Sequence, residues 1–295
     1  MGISWSWWSQ RIFLGMRITK DCKAHTITLD QTHYVEKVAK HFGQKNCKEV
    51  STPLPTRYSP RPNEGNTNPT LWSHYQSVIG SLLYIMLGTR QDITYSVIKM
   101  SQFSTNPSEE HLQRALSIVH YLSSTMDLCI HYSTLGNQNG LIAYSDTNWA
   151  GDHKTSHSTT GYAIFLPNGI VSWLSRQQKR VRLSSTEVEY CGITEIAKQL
   201  QWIHNVYEEL GFKLGSLPLY IDNQGTIFLA LNAAQEGCIK HAYISNHYIC
   251  EAVEFGEVKL YYVPTDQQYA DIFTKNLAKL KFETGKKALC LIKHS

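Results

Sequence analysis

The chain has 295 residues, 42% of them hydrophobic and 18% charged, which is enough for one large domain or two ordinary ones with real cores. No apolar run reaches the roughly 20 residues that cross a bilayer. The N-terminus lacks a secretory signal layout, and seven cysteines without a Cys-x-x-Cys pair argue against a disulfide framework. These features argue for a reducing, intracellular setting and lead to the expectation of a cytoplasmic protein, with the nucleus as the alternative. The formal charge of +4 lies wholly in the first part: residues 1–133 carry 13 Lys+Arg against 9 Asp+Glu, and the remainder carries 15 of each. That balance permits nucleic-acid binding without requiring it.

Residues 1–10 are rich in Trp and Ser and carry no period. From Arg11 to Leu29 the pattern predicts two strands joined by a polar turn, and Gln31 to Phe42 predicts a short helix with Val35, Val38, Ala39 and Phe42 on one face. Five prolines between 51 and 70 mark a loop or linker. Helices are predicted at Tyr75–Leu87, Asp92–Phe103 and Ser108–Ser123, the last opening on Ser-Glu-Glu. Asn137-Gln-Asn-Gly140 marks a boundary.

Beyond it the period changes. Strands are predicted at 141–146, 160–166 and 169–174 as an antiparallel meander, then a long helix at about 186–210 ended by Gly211. A strand at 217–222, helices near 224–232 and 241–254, a strand at 258–263 and a helix from Gln267 complete the order. This is an α/β pattern, a mixed sheet with helices packed on it.

Four carboxylates carry the chemistry. Asp146 ends the run Leu-Ile-Ala-Tyr-Ser-Asp, and Asp222 ends Leu-Pro-Leu-Tyr-Ile-Asp. Glu189 lies at the head of the long helix, on the stripe of Ile193, Ile196, Leu200, Ile203 and Leu210, where a bare charge is costly unless compensated. Glu187 falls on the wet face with Thr194, Lys198 and Gln201, and stands at capping-box spacing from Ser184. Asp271 sits a little over one turn into its predicted helix among Tyr269, Ile272 and Phe273, whereas Asp266 reads as that helix's N-cap. Asp152 reads as a turn residue. Several hard oxygen ligands from separate elements are what a pair of Mg²⁺ ions needs, and phosphodiester hydrolysis is the chemistry that most often uses such a pair. Arg176, Lys179, Arg180 and Arg182 place four cations in seven residues, either a phosphate-contacting strip or a solvated turn. Cys238, His241, His247 and Cys250 could be drawn as a zinc site, but helical spacing puts the two histidines on different faces.

Tyr-Ser-Asp-Thr-Asn-Trp-Ala-Gly-Asp, Ser-Thr-Thr-Gly-Tyr, Ser-Trp-Leu-Ser-Arg-Gln-Gln, Ser-Ser-Thr-Glu-Val-Glu-Tyr, Tyr-Ile-Asp-Asn-Gln and Ala-Asp-Ile-Phe-Thr-Lys follow one another in this chain. Read together, over roughly residues 139 to 290, they resemble the RNase H region of copia-type LTR retrotransposon Pol polyproteins. Upstream, Phe13-Leu-Gly-Met-Arg-Ile, Thr52-Pro-Leu-Pro, Ile79-Gly-Ser-Leu-Leu-Tyr, Gly88-Thr-Arg-Gln-Asp-Ile and Asn106-Pro-Ser-Glu-Glu-His resemble the end of the reverse transcriptase and its connection to RNase H. The resemblance implies a C-terminal Pol fragment: an unassigned stretch at 1–10, a mainly helical reverse transcriptase remnant at 11–136, an RNase H-like mixed five-stranded sheet flanked by helices at 137–276, and a tail at 277–295.

By that likeness Asp146 would bridge two Mg²⁺ ions (Mn²⁺ as the alternative), Glu189 and Asp222 would complete the first site, and Asp271 the second. His241 would stand beside the site as an auxiliary group. The implied partners are an RNA–DNA hybrid and the rest of a reverse transcriptase. The chain departs from the family in two places. No two consecutive aspartates occur, so the polymerase's catalytic pair is missing and DNA synthesis by this chain alone is not expected. In Lys240-His-Ala-Tyr-Ile-Ser-Asn-His-Tyr, Tyr243 and Ser245 replace the family's acid and arginine. Three functions remain open at this level: a hybrid-cutting ribonuclease, a relic that keeps the fold and binds nucleic acid without cutting it, or another nuclease or integrase built on the same sheet.

Overall fold

The computed structural model describes residues 10–45, 48–56, 58–133, 140–148, 157–166, 169–178, 185–212, 215–235, 249 and 251–293, with side chains excluded at 185–187 and 233–235. The chain divides into two compact units, Met1–Gly136 with Asn276–Ser295, and Asn137–Lys275.

In the first unit, β1 (Gln10–Phe13), β2 (Met16–Asp21), β3 (Thr26–Asp30), β4 (Leu128–Ser133) and β10 (Leu291–Lys293) pair in that order, each neighbour antiparallel. The run from Arg11 to Leu29 thus holds three strands where the sequence predicts two. The extra break is a two-residue turn at Leu14 (φ 48°) and Gly15 (φ 71°), the positive-φ pair that a tight hairpin demands. Helices α1 (Thr32–His41), α2 (Pro69–Gly88), α3 (Thr94–Ser101) and α4 (Glu109–Ser124) follow the predicted segments. α2 starts earlier than its apolar period suggests, because the Asn68 side chain caps it and Pro69 opens its first turn. Ser108 caps α4 by accepting from the His111 amide, and His111 Nδ1 accepts the reciprocal bond from the Ser108 amide. The Gly88–Ile93 motif is structural: Arg90 and Asp92 form a buried ion pair at 2.8 Å, and Gln91 donates to the Leu289 carbonyl at 3.0 Å. Residues 277–295, described above only as a tail, carry α7 (Lys279–Ala288) and β10 of this unit.

The second unit is the mixed sheet. Its strands are β5 (Ile142–Asn148), β6 (Thr159–Leu166), β7 (Gly169–Gln177), β8 (Leu217–Ile221) and β9 (Val258–Tyr262), in spatial order β7-β6-β5-β8-β9. β7, β6 and β5 are antiparallel neighbours, while β8 and β9 run parallel to β5. Between strands lie α5 (Ser185–Glu209), α6 (Gln224–Gln235) and a helical stretch at 251–254. The strand order and the crossovers through helices are those of an RNase H-like fold. α5 buries Ile193, Ile196, Leu200 and Ile203 against Ala143, Ile164, Leu219 and Ile221. Leu210 does not join them. It falls past the helix end, is 65% exposed, and precedes Gly211, whose φ of 84° turns the chain away.

The segment after β9 differs from its prediction. Instead of one helix from Gln267, it forms two short 3₁₀ turns, Thr265–Gln267 and Tyr269–Phe273, before α7. Asp266 does not cap, since Pro264 holds that position; the side chain of Gln268 caps the second turn by accepting from the Ala270 amide at 3.2 Å.

Candidate active site

Strand pleat separates the two faces of β5. Ser145 and Thr147 point at α5, where a Cβ on Gly192 would stand 2.6 Å from Thr147 Oγ1, so only glycine admits that close approach. Asp146 points to the opposite face and is 6% exposed. Above it lies the second 3₁₀ turn. That turn rests on Gly161, the register partner of Asp146, where a Cβ would stand 2.7 Å from Phe273 Cβ. Gln268 ties the turn to β5 by donating to the Ser145 carbonyl at 2.9 Å.

The turn therefore lays Asp271, Thr274 and Lys275 over Asp146. Thr274 donates its hydroxyl to Asp146 Oδ2. Lys275 Nζ lies 2.6 Å from Asp271 Oδ1 and 3.7 Å from Asp146 Oδ2. Asp271 is 1% exposed. On the other flank Glu189, half-buried on α5, accepts from Asn223 Nδ2 at 3.1 Å. Asp222, at the end of β8, accepts from Thr265 Oγ1 at 3.2 Å.

The neighbouring acids bear on Asp146 and Glu189. Burial pushes the Asp146 carboxyl up to about 7, and the charges of Asp271 and Asp222 add to the rise against Lys275 and Thr274. Burial likewise pushes Glu189 up to about 7, with Asp222 and Asp146 adding to it against the bond from Asn223. For Lys275 burial works against the charge, but Asp146 and Asp271 outweigh it and hold the ammonium above the ordinary lysine range. All four sequence-predicted acids thus come from separate elements to one neighbourhood centred on Asp146. Among the described residues no three His, Cys, Asp or Glu side chains are drawn close enough to hold an ion as they stand.

The remaining candidates are less central. Arg176 is exposed and ion-paired with Glu195. Lys179, Arg180, Arg182 and His241 lie outside the described residues, as do Asp152, the side chain of Glu187 and the drawn zinc site. Sequence reasoning gave no role to Thr274, Lys275 and Asn223, although each lies inside a motif it quoted. Their signal was position: Lys275 is four residues after Asp271, and Asn223 directly follows Asp222.

No protein-family profile matches the chain. The Pol polyprotein of transposon TNT 1-94 from Nicotiana tabacum is 34% identical over 284 residues, 92% of this chain and 21% of that protein. Its counterpart from transposon RE1 of Arabidopsis thaliana is 36% identical over 259 residues, 86% of this chain and 17% of that protein. The chain therefore spans about a fifth of the length of these relatives. Among solved structures, RNase H1 from Halobacterium salinarum NRC-1 overlaps 46% of this chain and 95% of its own at 15% identity, with a TM-score of 0.31. The fold rests on strand order and register rather than on that overlap. With a mixed sheet of this topology and relatives matching nearly its whole length, the chain belongs to the retrovirus-related Pol polyproteins of copia-type transposons, and its second unit is an RNase H-like domain.

Proposed function

We propose that the second unit is a metal-dependent endoribonuclease that cuts the RNA strand of an RNA–DNA hybrid, working within a larger Pol polyprotein whose other parts are its partners. One observation carries this reading. Four carboxylates from β5, α5, β8 and the 269–273 turn interact around the buried Asp146, at a cost to the bare protein that lifts Asp146 and Glu189 to about 7. Acids kept at that cost fit a divalent cation, and their oxygens are the hard donors that Mg²⁺ or Mn²⁺ prefers. Asp146, Glu189, Asp222 and Asp271 would hold two such ions, which supply charge to activate water and to stabilise the leaving oxygen.

The chain's own groups orient the acids. Thr274 fixes one Asp146 oxygen, Asn223 fixes Glu189, and Thr265 fixes Asp222. Gln268 holds the turn that brings Asp271 over the sheet. Substrate contact is assigned to Arg176, Lys179, Arg180 and Arg182 reading phosphates, with hybrid shape and 2′-hydroxyls giving the preference, and the family resemblance adds His241 as an auxiliary group. Arg176 would exchange its Glu195 partner for a phosphate.

The test is the purified chain with end-labelled RNA in a hybrid and Mg²⁺. The expected result is internal cleavage of the RNA, lost in Asp146→Asn and in chelator. No cutting above the Asp146→Asn control would overturn catalysis and leave a nucleic-acid-binding module. Nicking of the DNA strand would overturn the substrate.

A further inference from the structure

Without metal, one cation already serves the acid cluster. The Lys275 ammonium touches Asp271 at 2.6 Å, reaches Asp146 at 3.7 Å and feels Asp222. Its side chain is 36% exposed, whereas those of the two carboxylates are 1% and 6% exposed. Two carboxylates this deep share one ammonium within reach of both, so burial of each is offset by the same cation. Lys275 supplies it from the same turn: its amide donates to the Asp271 carbonyl at 3.3 Å, so stem and carboxylate leave adjacent points of the backbone. An ordinary surface pair at this spacing would be exposed at both ends and worth little. Here only the lysine has a path to water. Its four-carbon stem can swing the ammonium outward, a freedom the buried acids lack.

A divalent ion bound by Asp146 and Asp271 would need the oxygens that Lys275 now engages. Resting on the metal-ligand reading of these acids given above, we propose that Lys275 is a tethered counter-cation. It holds Asp146 and Asp271 together while no metal is bound, and it must be displaced for the site to load. Lys275 is a positioning residue, and it sets the metal concentration at which the site fills. A lysine whose role was to grip substrate phosphate would behave differently, because its loss would weaken hybrid binding and leave metal affinity alone.

The experiment uses the full chain with no nucleic acid, titrating Mg²⁺ by calorimetry and by melting temperature in wild type, Lys275→Gln and Lys275→Arg. Lys275→Gln melts lower than wild type in chelator yet binds Mg²⁺ about tenfold tighter, the scale on which groups around metal ligands act. Damage to the fold would weaken binding instead. Lys275→Arg, which keeps a cation, stays close to wild type. Should Lys275→Gln be unfolded in chelator, Mg²⁺ is expected to refold it, and failure to refold overturns the proposal. Equal or weaker Mg²⁺ affinity in Lys275→Gln overturns the role of Lys275 alone. No Mg²⁺ response in wild type and variant alike overturns both this role and the metal-ligand reading.

Discussion

Asp92 and Asp146 are both buried aspartates, and their surroundings hold them in opposite ways. Burial raises the cost of charging Asp92, but Arg90 grips both its oxygens, at 3.0 and 2.8 Å, and Tyr121 donates at 2.6 Å, so its carboxyl is held below the ordinary range. Such a group stabilises the fold above its unfolded pKa of about 4 and loses that contribution as pH falls through the folded value. Asp146 has the reverse sign. Pushed up to about 7, it contributes stability that is full below about pH 4 and is lost as pH rises toward 7. The metal-free chain is therefore expected to lose melting temperature between pH 5 and 8 more steeply than Asp146→Asn does. Melts in chelator across that range check it, and parallel slopes would refute the assignment. Gly161 supplies a second residue-scale expectation. A methyl there meets Phe273 Cβ at 2.7 Å and the Phe273 carbonyl carbon at 3.1 Å, so backbone has to move. Gly161→Ala should cost about 1–3 kcal/mol by overpacking and lift Asp271 off Asp146. Denaturant midpoints and cleavage rate should fall together; a drop in neither would show that the turn is not seated on Gly161.

At the scale of elements, period decided what the sequence made legible. α5 places six residues in the second unit's hydrophobic core at helical spacing, Tyr190, Ile193, Ile196, Ala197, Leu200 and Ile203, and that signal is strong over 25 residues. β8 stops one residue short of Asp222, close to its prediction, whereas β5 continues two residues past Asp146, to Asn148, because β6 pairs with it that far. The covering segment was illegible for a physical reason. Its 3₁₀ turns are three and five residues long, too short for a period, and their register is set by Gln268 reaching Ser145, a bond spanning 123 positions. The sequence consequently made Asp266 a cap and Asp271 a helix residue. β4 and β10 escaped notice similarly, since each is stabilised only by a partner far along the chain. Within the site, the carboxylates were readable from strand ends and the apolar stripe, while Lys275 was not. Its place follows from the depth of Asp146 and Asp271 beside it, and that depth is a property of the assembled turn.

For the whole molecule, the unit boundaries make the C-terminal segment part of the first unit's core. Phe282, Leu289 and Leu291 are 4%, 0% and 3% exposed, β10 closes the free edge of β4, and Gln91 is anchored on the Leu289 carbonyl. Three such side chains are worth roughly 1.5–3 kcal/mol each, which together is most of a domain's usual margin of about 5–15 kcal/mol. A chain ending at residue 275 should therefore keep the second unit, whose sheet and core draw nothing from beyond Lys275. Its first unit should loosen and expose β4 as an uncovered edge strand prone to association. Limited proteolysis tests this directly. The truncated chain should leave a resistant fragment beginning near residue 140, with early cuts in 10–133 that the full chain resists. Equal resistance of 10–133 in both would mean that α7 and β10 add nothing to the first unit.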